Sequence, residues 1–159
     1  GYTMQYASGP RVTPTVKDGK VYALGAMGDL FCLDAKTGKP HWHRDLMKDH
    51  GLKSPPVWGY SSHPLVEGGL VYVTAGGKGS AVVALHADTG KEAWKVNRDN
   101  AKSQKKFSFT TAQVIELNKQ KVVISPAADH VVAYAVGDGK EIWRVNYPTV
   151  GYSCICRPV

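Results

Sequence analysis

The 159-residue sequence repeats itself, and that repeat constrains the fold more than any other feature. Residues 32–42 (CLDAKTGKPHW), 84–94 (ALHADTGKEAW) and 133–143 (AYAVGDGKEIW) share one frame. Trp42, Trp94 and Trp143 recur at spacings of 52 and 49 residues, and the upstream pairs Val21-Tyr22, Val71-Tyr72 and Val122-Val123 at 50 and 51. A period near 50 residues is the mark of units that cannot bury an apolar face alone and must stack on their neighbours.

Within each unit the pattern reads strand, tight turn, strand. The first unit places strands at 12–16, 20–24, 29–33 and 40–46. The second has them at 63–66, 70–74, 81–86 and 92–96, and the third at 111–116, 121–125, 130–135 and 141–145. Alternating β-branched and aromatic residues support strands, and Asp-Gly, Gly-Gly and Thr-Gly supply turn positions that tolerate positive φ. No helical period of useful length occurs. The expected fold is all-β, a β-propeller of four-stranded antiparallel blades, because a sandwich has no need of similar repeated units. The blades are expected near 12–46, 62–96 and 110–145. A further one is expected to begin at 150–159, where Gly151-Tyr152-Ser153 echoes Gly59-Tyr60-Ser61.

The Trp on each fourth strand is expected to lie between adjacent blades, where burial of its ring is worth about 2–3 kcal/mol. Gly38, Gly90 and Gly139 stand four residues before Trp42, Trp94 and Trp143, where they permit the turn and bring strands close. All six are expected to be structural rather than chemical.

Composition excludes several classes. Hydrophobic residues at 43% and charged residues at 21% are ordinary for a globular chain. No apolar run approaches the roughly 18–20 residues of a membrane-spanning helix, and the opening GYTMQYASGP does not read as a signal peptide. Three cysteines are too few for a disulfide scaffold, and Cys154 and Cys156 fall on the same face of an extended chain, an awkward geometry for a bridge. The net charge of +7 is partly explained by lysines in short turns.

At these motifs the sequence resembles the pyrroloquinoline-quinone (PQQ) repeat family, whose tryptophan-docking motif reads A-x-D-x-x-T-G-x-x-x-W. The first repeat keeps Asp34, Thr37, Gly38 and Trp42 with Cys32 in the Ala place. The second keeps Ala84, Thr89, Gly90 and Trp94 with His86 for Asp, and the third keeps Ala133, Gly139 and Trp143 with Ala135 and Asp138 in the Asp and Thr places. The resemblance covers the whole chain. It implies kinship with non-catalytic propellers of the BamB type and with PQQ- and calcium-dependent alcohol dehydrogenases, and an address in the periplasm, outside the cell or at its envelope. The adjacent Cys-Cys pair typical of those enzymes is missing, and no calcium-binding Glu and Asn with a catalytic Asp stand in matching context. PQQ and calcium therefore belong only to the dehydrogenase alternative. The favoured expectation is a non-catalytic interaction scaffold.

No nucleophile with a base at usable spacing, and no recurring pair of carboxylates, indicates catalysis. His41 and His43 share one side of a strand without a third metal ligand. Gly76-Gly77-Lys78-Gly79-Ser80 lacks both the spacing and the following helix of a phosphate loop. Connection lengths are more informative: residues 47–62 and 97–110 are long and should gather with turns 25–28, 75–80 and 126–129 at one end of the blades. Lys48, Lys53, Arg98, Lys102, Lys105 and Lys106 there oppose only Asp49 and Asp99, with Trp58, Tyr60, Phe107 and Tyr152 nearby. Trp58, Tyr60, Lys102, Lys105, Lys106 and Tyr152 are the candidate binding residues for a protein or an anionic polymer; nucleic acid is not expected. Three units fall short of the roughly four to eight blades that close a propeller. The expectation is thus an open arc of a longer propeller, with self-association through its open blade faces.

Overall fold

Turn chemistry organises the chain into three antiparallel sheets. The structure is a computed structural model that describes residues 11–56, 58–76, 82–96, 109–127 and 130–147. The expected start of a further blade at 150–159 lies outside the described residues. Strands β1 (Thr15–Lys17), β2 (Lys20–Leu24), β3 (Asp29–Asp34) and β4 (Pro40–Asp45) form the first sheet in the order β1-β2-β3-β4. The second is β5 (Leu65–Glu67), β6 (Leu70–Val73), β7 (Val82–His86) and β8 (Glu92–Val96), and the third is β9 (Gln113–Leu117), β10 (Gln120–Pro126), β11 (His130–Ala135) and β12 (Glu141–Asn146). Both have the same meander order. These are propeller blades.

The first two strands of each sheet are joined by two residues that both have positive φ: Asp18 and Gly19 (50° and 72°), Gly68 and Gly69 (59° and 75°), Asn118 and Lys119 (51° and 65°). That is the turn whose twist matches paired strands. Each third-to-fourth pair carries a register shift at one place in the frame, between Cys32 and Leu33, Ala84 and Leu85, and Ala133 and Tyr134.

Register corrects the sequence frame in the third sheet. Val71 pairs with Leu85, and the equivalent pair is Val123 with Tyr134, so the counterpart of Val71-Tyr72 is Val123-Ile124 and not Val122-Val123. The β9–β10 hairpin is longer than its counterparts, which a fixed period cannot show. The first strands of sheets 1 and 2 also begin later than expected, after Pro14 and Pro64, which have no N–H to give a ladder. Strand β4 ends at Asp45 rather than 46, because the Asp45 side chain accepts from the Lys48 backbone N–H (3.0 Å) and caps a single helical turn, α1 (Leu46–Asp49).

The core lies between sheets. Leu24, Leu30, Cys32 and Leu46 of the first repeat pack with Val66, Val71, Val73, Val83 and Leu85 of the second. Tyr72, Val82, Ala84 and Trp94 pack with Val123, Val132 and Tyr134 of the third. The first strands run close together, β1 beside β5. Their approaches are linked in series: the Thr13 N–H donates to His63 Nδ1 (2.9 Å), and the His63 N–H donates to Thr111 Oγ1 (2.9 Å). Glu67 ties all three sheets by accepting from Lys17 (2.9 Å) and Lys121 (2.6 Å). No helix among the described residues is long and apolar enough to cross a membrane.

Candidate functional site

Two places concern function: the loop end of the sheets and the contacts made by the repeated Trp residues. At the loop end, the Leu46 N–H donates to the Gly28 carbonyl (2.9 Å) and the Tyr60 N–H to that of Ala26 (3.0 Å). The Tyr60 hydroxyl donates to the Ala75 carbonyl (2.9 Å). Turn 25–28, the segment after β4 and the end of β6 are thereby brought together, the gathering that connection lengths imply. Gly28, at φ 97°, is needed there, since a Cβ would stand 2.8 Å from the Tyr60 ring. Nearby, Trp58 lies against Phe109 with ring centroids 4.9 Å apart, and Tyr147 donates to the Ala127 carbonyl.

The candidate binding residues divide. Tyr60 is fully buried, its hydroxyl is committed to Ala75, and burial pushes its acidity well below that of an ordinary phenol. Trp58 is half-buried against Phe109. Lys48 and Lys53 are exposed, while Asp49 is taken up by Arg44 (Nε to Oδ2, 2.6 Å). Arg98, Asp99, Lys102, Lys105, Lys106, Phe107, Tyr152, Cys154, Cys156 and the glycine-rich stretch beyond Gly76 lie outside the described residues.

His41 and His43 are not brought together on a third ligand. His43 Nε2 is 3.0 Å from Asp29 Oδ1, and its ring stacks on Phe31 at 4.4 Å. Among the described residues no group of three or more His, Cys, Asp or Glu side chains is placed to hold a metal ion. Cys32 is buried and free, and burial raises its thiol pKa, so it is a packing residue and not an activated nucleophile.

The repeated Trp residues reach across to the next sheet. The Trp42 ring lies on Gly90, where a Cβ would stand 2.8 Å from Cδ2, and its indole N–H donates to the Ala87 carbonyl (2.9 Å). Trp94 repeats this on Gly139, where a Cβ would stand 2.5 Å from Cε3, and it donates to the Val136 carbonyl (2.8 Å). Sequence reasoning gave each Gly a turn and a close approach of strands; Gly90 and Gly139 in addition each receive the Trp of the preceding repeat. The carbonyl acceptors were invisible to it, because every residue type has one. The Lys17–Glu67–Lys121 tie was also missed, and its only signal was opposite charge at corresponding hairpin ends.

A family model described as outer membrane protein assembly factor BamB matches residues 3–151. The quinohemoprotein alcohol dehydrogenase ADH-IIG of Pseudomonas putida is 30% identical over 150 residues, which is 90% of this chain and 20% of that protein. The outer membrane protein assembly factor BamB of Xanthomonas campestris is 35% identical over 92 residues, 58% of this chain and 22% of that one. Among solved structures, the quinohemoprotein alcohol dehydrogenase of Comamonas testosteroni superposes with a TM-score of 0.66 at 22% identity, covering 87% of this chain and 21% of its own. The chain thus spans about a fifth of the length of these curated relatives.

Proposed function

The chain belongs to the PQQ-like repeat β-propeller family, and we propose that it is a non-catalytic interaction segment of a propeller whose loop end binds a protein or an anionic polymer in the bacterial cell envelope. The observation that carries this reading is how the loop end uses its side chains. The aromatic groups there are spent on packing, Tyr60 against Gly28 and Ala75 and Trp58 against Phe109, while Lys48 and Lys53 of the same connection are exposed. Such a surface suits a broad, charged partner. The match to assembly factors over nearly the whole chain supports the same class.

The dehydrogenase reading is favoured by the 30% identity over 150 residues. Among the described residues, in a chain about a fifth of that protein's length, no three-ligand set for a cation is gathered, and Cys32 has no cysteine beside it. No step is derived through a quinone.

The test uses the whole protein. After incubation with PQQ and calcium followed by gel filtration, no quinone absorbance is expected to remain, and no artificial electron acceptor should be reduced when alcohols are added. A photo-crosslinker at position 53 is expected to give discrete envelope adducts that Lys48→Glu weakens. Alcohol-dependent reduction of the acceptor, or the absence of adducts, would overturn the proposal.

A further inference from the structure

The connection that leaves sheet 1 for the loop end is pinned at its start by backbone geometry. Helical turn α1 closes on His50, whose N–H donates to the Leu46 carbonyl (3.2 Å). Gly51 then takes φ 66°, and two further bonds run back into the turn, from the Gly51 N–H to the Lys48 carbonyl (3.3 Å) and from the Leu52 N–H to that of Met47 (2.9 Å). A helix end closed in this way by a left-handed glycine fixes the place of the residue before it. The residue so fixed is a half-buried histidine.

Four charged groups act on that ring from both sides of the first seam. Asp49 of its own turn and Arg44 of β4 are paired (2.6 Å), and so are Glu92 and Lys95 of β8 (3.4 Å). Burial, the largest influence, holds the imidazole below its ordinary 6.5, with Glu92 and Asp49 favouring the charged form and Lys95 and Arg44 opposing it. All of these groups lie on sheet 1, on sheet 2 or on the segment between them.

We propose that His50 is a pH-sensitive latch: uncharged, it keeps the start of the loop-end connection packed beside β8, and charged, it releases that segment toward solvent. A ring that is disfavoured from charging when packed and free to charge when released favours release as pH falls below its ordinary value. The latch would regulate the binding surface proposed above and rests on that reading, because the exposed Lys48 and Lys53 lie on either side of the ring in the chain. At neutral pH the pinned segment presents these lysines in one arrangement, and acid loosens it.

Hydrogen exchange of the whole protein, read by mass spectrometry on peptides covering 46–56, tests this, with protection referred to strand β7 so that the intrinsic pH dependence of exchange cancels. Protection of the segment is expected to fall at least about threefold between about pH 7.5 and about pH 5. His50→Gln, which cannot take the charge, should abolish the fall. Glu92→Gln removes a carboxylate that favours the charged ring and leaves Lys95 to oppose it, so the fall should deepen. Should His50→Gln loosen the segment at every pH, the slope in Glu92→Gln decides. Protection that does not change with pH, or a fall that His50→Gln keeps or Glu92→Gln leaves unaltered, would overturn the proposal. Exchange is read without a partner, so that result leaves the loop-end reading standing, and an absence of crosslinks at position 53 leaves the latch standing.

Discussion

The two seams between sheets use the same Trp-on-Gly contact and surround it differently. In the first seam, Lys20 pairs with Asp88 and the Arg44 guanidinium donates to the Gly90 carbonyl (3.0 Å). In the second, the counterparts of Lys20 and Arg44 are Leu70 and Val96, both packed into the apolar cluster around Trp94, and the counterpart of Asp88 is Gly137. One seam is clasped at its edge by charge and the other is filled with hydrocarbon. The difference teaches which part of the repeat is indispensable. The ring, the glycine and the carbonyl recur in both seams, whereas the edge positions exchange an ion pair for apolar packing, as expected where exposed pairs are worth little.

The largest break in that comparison should come from the rings. Trp94 is nearly buried and Trp42 only partly so. Trp94→Ala is expected to cost about 3–5 kcal/mol by urea unfolding, and Trp42→Ala less, because its seam keeps the Arg44 and Lys20 contacts. Equal losses would show that the clasp adds nothing to the first seam. Glycine substitutions should rank next. Gly139→Ala and Gly90→Ala combine left-handed strain with a Cβ driven into a ring, for about 2–4 kcal/mol, while Gly38→Ala carries only the backbone term of about 1–2 kcal/mol. A loss at Gly38 matching that at Gly90 would mean the backbone alone explains all three.

The smallest effect belongs to the tie across both seams. Hydrogen bonds from Lys121 and then Lys17 hold the Glu67 carboxyl down at about 2, against an ordinary 4.5. A depressed carboxylate stabilises the fold fully above its unfolded pKa and loses that contribution as acid titrates it. Stability should therefore fall as pH drops from about 4.5 toward 2, and Glu67→Gln should flatten that slope. With lysine side chains 39% and 53% exposed, the loss should be about 1 kcal/mol or less. An unchanged acid slope in Glu67→Gln would assign it to other carboxylates.

Much of the architecture was legible before any coordinates. The period, the two-residue turns and the alternation placed twelve strands in three sheets, because these are local consequences of glycine, β-branching and side-chain periodicity. The gathering of the loop end was also legible from connection lengths. The fates of Tyr60 and Trp58 were not. A tyrosine in a long loop reads equally as a ligand contact or as a packing residue, and only the closeness of Gly28 and Ala75 decides for packing. The register of the third sheet was hidden for a related reason. A hairpin can lengthen without changing its composition, so only the pairing of Val123 with Tyr134 reveals it.

The sequence by itself determined the blade: four strands, tight turns between the first and second and between the third and fourth, and a Trp and a Gly at fixed places in every repeat. Only the tertiary structure decided that the Trp of one blade belongs to the Gly of the next. That pairing is fixed by the stacking of sheets on one another, which brings residues 45 and 42 apart in the chain into hydrogen-bonding contact, and no local preference along the sequence encodes it.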